Sequence, residues 1–182
     1  MAEPLIRLAE AGDAAAIAAI YAPFVTDTPV SFEETAPDAA EMARRIAGDG
    51  RGLHPWLVAE IDGKVVAYAS SSPFRARPAY RWSVETGVYC APQARGRGIG
   101  RLLMERMLEL LTRQGFTAVV AGITLPNEAS VALHEKLGFA PTATYRDTGF
   151  KLGAWRTVQV FARDLAPRLT PPPELRRFAD CA

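Results

Sequence analysis

The chain has 182 residues, enough for one domain with a sizeable core and too few for two full ones. Apolar residues make up 49% and charged residues 23%, an ordinary globular balance, and the net charge of +1 lacks the basic excess that nucleic-acid binding needs. Two cysteines, Cys90 and Cys181, build neither a disulfide framework nor a four-ligand zinc site, and no metal is expected.

The start, Met1-Ala2-Glu3-Pro4, has no charged segment followed by an apolar one, so no secretory signal is expected. No apolar run approaches the ~20 residues that cross a membrane. A cytoplasmic protein is the default expectation. Asp13 is expected to cap an alanine-rich helix running to about Phe24, with Ile17, Ile20 and Tyr21 on one face. Pro37-Asp38 opens a short second helix with Met42 and Ile46 inward, and the glycines from Gly48 to Gly52 end it. Residues 56–61 read as a strand, Asp62-Gly63 as a hairpin turn and residues 64–70 as the returning strand. A loop rich in Arg and Pro follows over residues 71–78, then a third strand over residues 81–90. Residues 92–98 form a turn with no room for regular structure.

The clearest helix covers residues 99–114. Leu102, Leu103, Met107, Leu110 and Leu111 form its apolar stripe and Gly115 stops it. Residues 117–124 are almost continuously apolar, which predicts a strand buried on both faces. Asn127 caps a helix over residues 128–137 that Gly138 ends, and residues 155–165 alternate as a last strand. Pro171-Pro172-Pro173 and scattered charge predict a mobile tail over residues 167–182, leaving a single domain over residues 1–166. The order of helix, helix, hairpin, strand, helix, strand, helix, strands predicts an α/β protein with a mixed sheet.

One segment carries chemistry. Val88-Tyr89-Cys90-Ala91-Pro92-Gln93-Ala94-Arg95-Gly96-Arg97-Gly98-Ile99-Gly100 joins a strand to an amphipathic helix. Backbone N–H groups at a helix start lack internal partners, and the dipole there is positive. Glycines remove the Cβ atoms that would keep an anion at a distance. The turn therefore suits a phosphate or pyrophosphate, with Arg95 and Arg97 adding charge. It is not a P-loop, since no Gly-Lys-Ser/Thr follows, and it is not the first βα turn that a dinucleotide fingerprint occupies.

Arg95-x-x-Gly98-x-Gly100 after such a strand resembles the acetyl-CoA signature of the GNAT superfamily. A second element of that superfamily follows at a fitting distance, Asn127-Glu128-Ala129-Ser130-Val131-Ala132-Leu133-His134-Glu135-Lys136-Leu137-Gly138-Phe139. Phe74-Arg75-Ala76-Arg77-Pro78-Ala79-Tyr80-Arg81-Trp82-Ser83-Val84-Glu85 is similar to the phosphinothricin and methionine sulfoximine acetyltransferases, as are Pro29-Val30-Ser31-Phe32-Glu33-Glu34 and Phe150-Lys151-Leu152-Gly153-Ala154-Trp155. The resemblance spans roughly residues 6–165. It implies a mixed, mostly antiparallel central sheet flanked by helices, the acyl-CoA N-acyltransferase fold, and acetyl-CoA as co-substrate.

It also implies roles. The strand before the glycine turn would splay from its neighbour, and the backbone of Val88, Tyr89 and Cys90 would pair with pantetheine as an added strand does. Gly96, Arg97, Gly98, Ile99, Gly100 and Arg101 would hold the pyrophosphate, with Arg95 beside them. Asn127, Ser130 and Lys136 would line the far side. Glu85 would be the base, because a carboxylate in a partly apolar cleft has a raised pKa, and a backbone N–H near Tyr89 would meet the oxyanion. His134 stands where many members have a tyrosine acid, so it would act as an acid, position the acetyl group or pack beside the cofactor. Cys90 reads as a small strand residue, because the superfamily transfers directly.

The implied acceptor is the α-amine of a small amino acid such as phosphinothricin or methionine sulfoximine or sulfone. Arg75 and Arg77 would fork its anionic groups. Phe32, Ala76, Tyr80, Thr86 and Gly87 complete the expected acceptor pocket. Gly87 stands where relatives offer a hydroxyl. Members of the branch are homodimers, which implies one here with Arg75, Tyr80 and Tyr89 near the partner. Two other readings remain: a GNAT enzyme acting on a peptide N-terminus or an arylalkylamine, and an acyl-CoA-binding sensor without turnover.

Overall fold

The computed structural model describes residues 3–181, so Met1 and Ala2, part of the start read for a secretory signal, lie outside the described residues. Seven strands form one sheet: β1 (Leu5–Leu8), β2 (Trp56–Ile61), β3 (Lys64–Pro73), β4 (Ser83–Cys90), β5 (Ala118–Thr124), β6 (Ala140–Lys151) and β7 (Ala154–Asp164), in the order β1-β2-β3-β4-β5-β7-β6. Every neighbouring pair is antiparallel except β4–β5. Parallel strands need a crossover, and helix α3 (Ile99–Gln114) supplies it. The sheet is mixed and mostly antiparallel, as expected.

Alternation along the strands divides the core. Leu57, Ala59, Ala67, Ala69, Val84, Val119 and Ala121 meet Leu103, Met104, Met107 and Leu111 of α3 on one face. Val58, Tyr68 and Tyr89 meet α1 (Ala14–Thr26) and α2 (Ala39–Ala47) on the other through Ile17, Ile20, Tyr21, Val25 and Met42. A fourth helix, α4 (Glu128–Lys136), follows β5. The Asp62-Gly63 hairpin forms with φ of 49° and 73°, the doubly positive geometry of a tight two-residue turn. Asp38 caps α2 by accepting from the Glu41 N–H at 2.8 Å.

Several expectations change. Asp13 does not cap α1. It has helical backbone angles, and its carboxylate takes both terminal nitrogens of Arg7 at 2.7 and 2.8 Å and the Glu10 N–H at 2.8 Å. Leu102 is 43% exposed, off the buried face on which Leu103, Met107 and Leu111 lie. β3 runs three residues beyond its expected end. Two strands, β1 and β6, have no counterpart in the sequence reading. β6 is an edge strand, mostly exposed, with Pro141 inside it and a register shift between Tyr145 and Gly149. Edge strands tolerate such breaks and lose the alternating pattern that reveals inner strands.

The Pro-rich stretch expected to be mobile lies against the domain. The Trp82 indole N–H donates to the Pro173 carbonyl at 2.8 Å, and Leu175 packs on the α3 core. The fully buried Gln114 side-chain amide donates to the Arg176 carbonyl at 3.0 Å, and the Gln114 backbone carbonyl accepts the Arg176 N–H at 2.9 Å. The Phe178 N–H reaches the Gly52 carbonyl at 2.8 Å, and Cys181 is buried against α3.

Candidate active site

The pairing of β4 with β5 stops early. Ser83, Val84 and Glu85 pair with Ala118, Val119 and Val120, and no register continues beyond them. β4 runs on to Cys90 with only its β3 edge paired. The β5-facing backbone of residues 86–90 is thus left open, and the fork encloses a cleft of about 340 Å³. Unpaired strand edges invite a further strand or an amide-bearing chain.

At the mouth of the fork lies the start of α3. Gly96 and Gly98 have φ of 71° and 77°, the left-handed region that glycine enters without strain. Gly100 serves differently: a Cβ there would stand 3.4 Å from Cys90 Sγ, so its absence seats α3 on β4. The start of α3, from Gly98 to Arg101, lines the cleft, and its first turn carries no acidic residue. Asn127 closes the far side, capping α4 by accepting the Ser130 N–H at 3.2 Å.

Of the residues expected at the cofactor, Val88, Tyr89, Cys90, Arg95, Gly96, Gly98, Ile99, Gly100, Arg101, Asn127 and Ser130 line this cleft, as does His134. Arg97 and Lys136 do not. Arg95 bridges strand and helix, donating to the Cys90 carbonyl at 3.2 Å with its guanidinium 5.1 Å over Phe24. Phe24, Val30 and residues 121–124 of β5 also line the cleft, and the sequence reading missed them. Burial pushes the Cys90 thiol up against the pull of Arg95, which suits a packing residue and not a nucleophile.

Two buried polar atoms in the cleft lack partners. Thr86, 7% exposed, leaves its Oγ1 unbonded, and His134, 3% exposed, leaves its Nε2 unbonded. Such orphans are costly unless a ligand meets them. Thr86 and Gly87, both expected at the acceptor, line this same cleft. The His134 Nδ1 is 2.8 Å from the Ser130 carbonyl. A carbonyl only accepts, so Nδ1 carries the hydrogen and Nε2 presents a lone pair. Burial holds the His134 pKa below its ordinary value, keeping the ring neutral. In this state the ring accepts a hydrogen bond at Nε2 and has no proton there to give.

Glu85 neighbours Thr86 in sequence but projects from the opposite face of β4. Its Oε1 is 3.7 Å from where a Cβ on Gly122 would stand, so the bare glycine of β5 leaves room for the carboxylate. Burial pushes the Glu85 pKa up, and the nearby Arg75 cation pulls it back. The Tyr89 phenol, pushed up by burial and by Tyr21, stays neutral.

The acceptor-side residues divide. The Phe32 ring packs directly against Gly149, where a Cβ would come within 2.2 Å of it. Its loop is pinned by Lys151, whose Nζ donates to the Ser31 carbonyl at 2.6 Å and to the Glu33 carbonyl. Tyr21 Oη bonds Ser31 Oγ at 2.7 Å and Glu33 Oε1 at 2.9 Å, while Arg45 forks both Glu33 oxygens at 2.8 and 2.9 Å. Arg75, Ala76, Arg77 and Tyr80 lie on an exposed loop outside the cleft. Arg75 covers the Phe74 ring at 4.9 Å and Tyr80 meets the same ring edge-on at 5.8 Å. Among the described residues, no group of three or more His, Cys, Asp or Glu side chains is placed to hold a metal.

The acetyltransferase (GNAT) family model matches residues 17–139. The phosphinothricin N-acetyltransferase of Streptomyces viridochromogenes is 37% identical over 171 residues, 92% of this chain and 91% of that protein. This chain belongs to the GNAT acetyltransferase family. The L-methionine sulfoximine/L-methionine sulfone acetyltransferase of Salmonella typhimurium is 37% identical over 155 residues, 82% of this chain and 88% of that one. A GNAT superfamily phosphinothricin acetyltransferase from Sinorhizobium meliloti, solved in complex with AcCoA, superposes with a TM-score of 0.87 at 37% identity, over 94% of this chain and 92% of that one.

The GNAT fold accounts for the fork and the glycine turn as one unit: a strand end left open, and a helix start aimed into the opening. No helix among the described residues is long and apolar enough to cross a membrane.

Proposed function

We propose that this GNAT chain transfers the acetyl group of acetyl-CoA directly to the α-amine of a small amino acid of the phosphinothricin or methionine sulfoximine/sulfone kind. The observation that carries the reading is the open β4 edge running from the glycine turn to the strand position of Glu85. Open backbone at residues 88–90 suits the amides of pantetheine, and the glycine turn and helix start that line the cleft through Gly96, Gly98, Ile99, Gly100 and Arg101 suit a pyrophosphate.

The amine lone pair attacks the thioester carbonyl. The C–N bond forms, the C–S bond breaks and the sulfur leaves with its electron pair. Glu85 takes a proton from nitrogen, directly or through a water, and its raised pKa keeps it a useful base nearer neutrality. The amide N–H near Tyr89 meets the oxyanion. His134, neutral with its lone pair toward the cleft, positions the acetyl end as an acceptor and is not the resting acid. Arg75 and Arg77 take the acceptor carboxylate from the exposed loop.

The reading includes a cytoplasmic homodimer. Phe150, Leu152 and Trp155 stand 60%, 53% and 63% exposed at the β6–β7 hairpin, an apolar patch of the kind subunit interfaces cover. Light scattering on the eluted protein reads out the assembly, and a clean monomer at micromolar concentration overturns it. For activity the test is thiol release from acetyl-CoA across a panel of amino acids, peptides and arylalkylamines. Turnover of free amino acids alone supports the reading. Turnover of peptides or arylalkylamines instead replaces the acceptor. Binding of acetyl-CoA with no turnover makes the chain a sensor.

A further inference from the structure

A second cavity, of about 370 Å³, opens on the other face of the sheet between α2 and strands β2 to β4. Its size falls within the ~300–1,000 Å³ of small-molecule sites. Tyr89 lines both this recess and the cofactor cleft, so the two cavities meet at this residue. Ser72 and Ser70 line the recess and stand directly across from Glu85 and Gly87 in the β3–β4 register. The recess thus begins beside the base, on the face from which Glu85 projects.

Gly87 keeps this passage open. A Cβ there would press within 3.3 Å of the Tyr89 ring and lie 3.8 Å from Ser70 Oγ. Any larger side chain at this position would narrow the way in.

The walls carry no unpaired charge. Arg45 is occupied by both Glu33 oxygens and by Glu41 at 2.7 Å, and Asp49 is held by Arg51 at 2.6 Å. Burial keeps the His54 imidazole neutral and pushes the Tyr68 and Tyr89 phenols up, so none of the three is ionised near neutrality. Trp56, Tyr68 and Met42 give apolar surface, while the His54 Nδ1 is buried without a partner. An anion entering here would lose its hydration and find no free cation. A neutral side chain would bury apolar area against these walls.

We propose that this recess is a side-chain pocket of the acceptor site, taking a bulky neutral side chain, aromatic above all, from an amino acid whose α-amine lies beside Glu85. It rests on the amino-acid acetyltransferase reading and, within it, favours neutral side chains, from the methionine sulfoximine/sulfone kind up to larger ones, over the anionic side chain of phosphinothricin. Gly87 is the residue that admits the larger group.

The test uses the full chain with acetyl-CoA and compares kcat/KM for phenylalanine, alanine and glutamate. Phenylalanine should exceed both others by about tenfold or more, the scale on which a few apolar groups discriminate. Ser70→Phe and Ser72→Leu fill the recess from two positions, and Ser72 is exposed enough to accept the larger side chain without unfolding. Each should cut the phenylalanine-to-alanine ratio by about tenfold while acetyl-CoA affinity holds. Thiol release with an unchanged ratio in both variants, or a wild-type preference for glutamate over phenylalanine, overturns the recess alone. No thiol release from any amine overturns it together with the transferase reading. The wild-type comparison decides even where a filled variant fails to fold.

Discussion

Glu85→Gln isolates the proposed base. The carboxamide keeps the shape of the carboxylate, so the close approach to Gly122 is preserved. Glu85 does not line the cleft proposed for the cofactor, so the dissociation constant for acetyl-CoA should hold. General-base catalysis contributes about 10²–10⁴ in rate, so kcat should fall by that factor, or ~2.7–5.4 kcal/mol in barrier height. Folding provides an internal control. Burial raises the Glu85 pKa, so its charged form is disfavoured in the folded state at neutral pH, and the Gln variant should melt no lower than wild type. The pH profile adds a second readout. The base works deprotonated, so the wild-type rate rises as pH climbs through its pKa, which lies above the ordinary carboxylate value. The Arg75 cation opposes that rise, so Arg75→Gln should move the limb to higher pH. Stopped-flow or steady-state thiol release from about pH 5 to about pH 9 covers the window. An active Glu85→Gln enzyme, or a limb that moves down in Arg75→Gln, refutes the assignment.

Three further expectations follow from the surrounding geometry. Gly98→Ala meets no atom within 4 Å but must hold φ near 77°, so it should lose ~1–2 kcal/mol in urea unfolding and weaken acetyl-CoA binding in calorimetry. Lys151→Met leaves the Ser31 and Glu33 carbonyls without their cation, which should cost ~1–3 kcal/mol and raise KM for the acceptor more than for acetyl-CoA as the Phe32 loop loosens. The folded-state pKa of His134 lies below its unfolded value of about 6.5, so the stability linked to it is complete above that pH and is lost as pH falls. His134→Gln should therefore flatten the drop in urea midpoint between about pH 7 and about pH 5.5, with His54 supplying what remains in the same direction.

The parts of this fold legible in the sequence are those with strong local grammar. The 3.6-residue stripe of α3 and the left-handed Gly115 that ends it are both local, as is the doubly positive Asp62-Gly63 turn. β1 is four residues at a sheet edge, and β6 is an exposed strand with an internal proline; neither has an alternation to read. The cleft beside the glycine turn was largely legible because that turn is contiguous. The fork itself was less so, since an apolar run at residues 117–124 says the strand is buried but not that pairing ends at Glu85 and Val120. Thr86 is the instructive case. Period two alone sets it on the face opposite Glu85, although the family pattern had grouped the two together. The pinning of Phe32 joins Tyr21, Ser31, Glu33, Arg45 and Lys151, residues too scattered for any local pattern to unite.

The open edge of β4 also makes the sheet itself a ligand-dependent object. An amide on residues 86–90 that faces the gap exchanges with solvent through small openings, because no neighbouring strand shields it. A molecule seated in the gap supplies the missing neighbour. Melting temperature should then climb with acetyl-CoA concentration, by about 2.7 kcal/mol of stabilisation at a hundred times the dissociation constant. In a cell, the fraction of this chain that survives proteolysis would follow its cofactor supply.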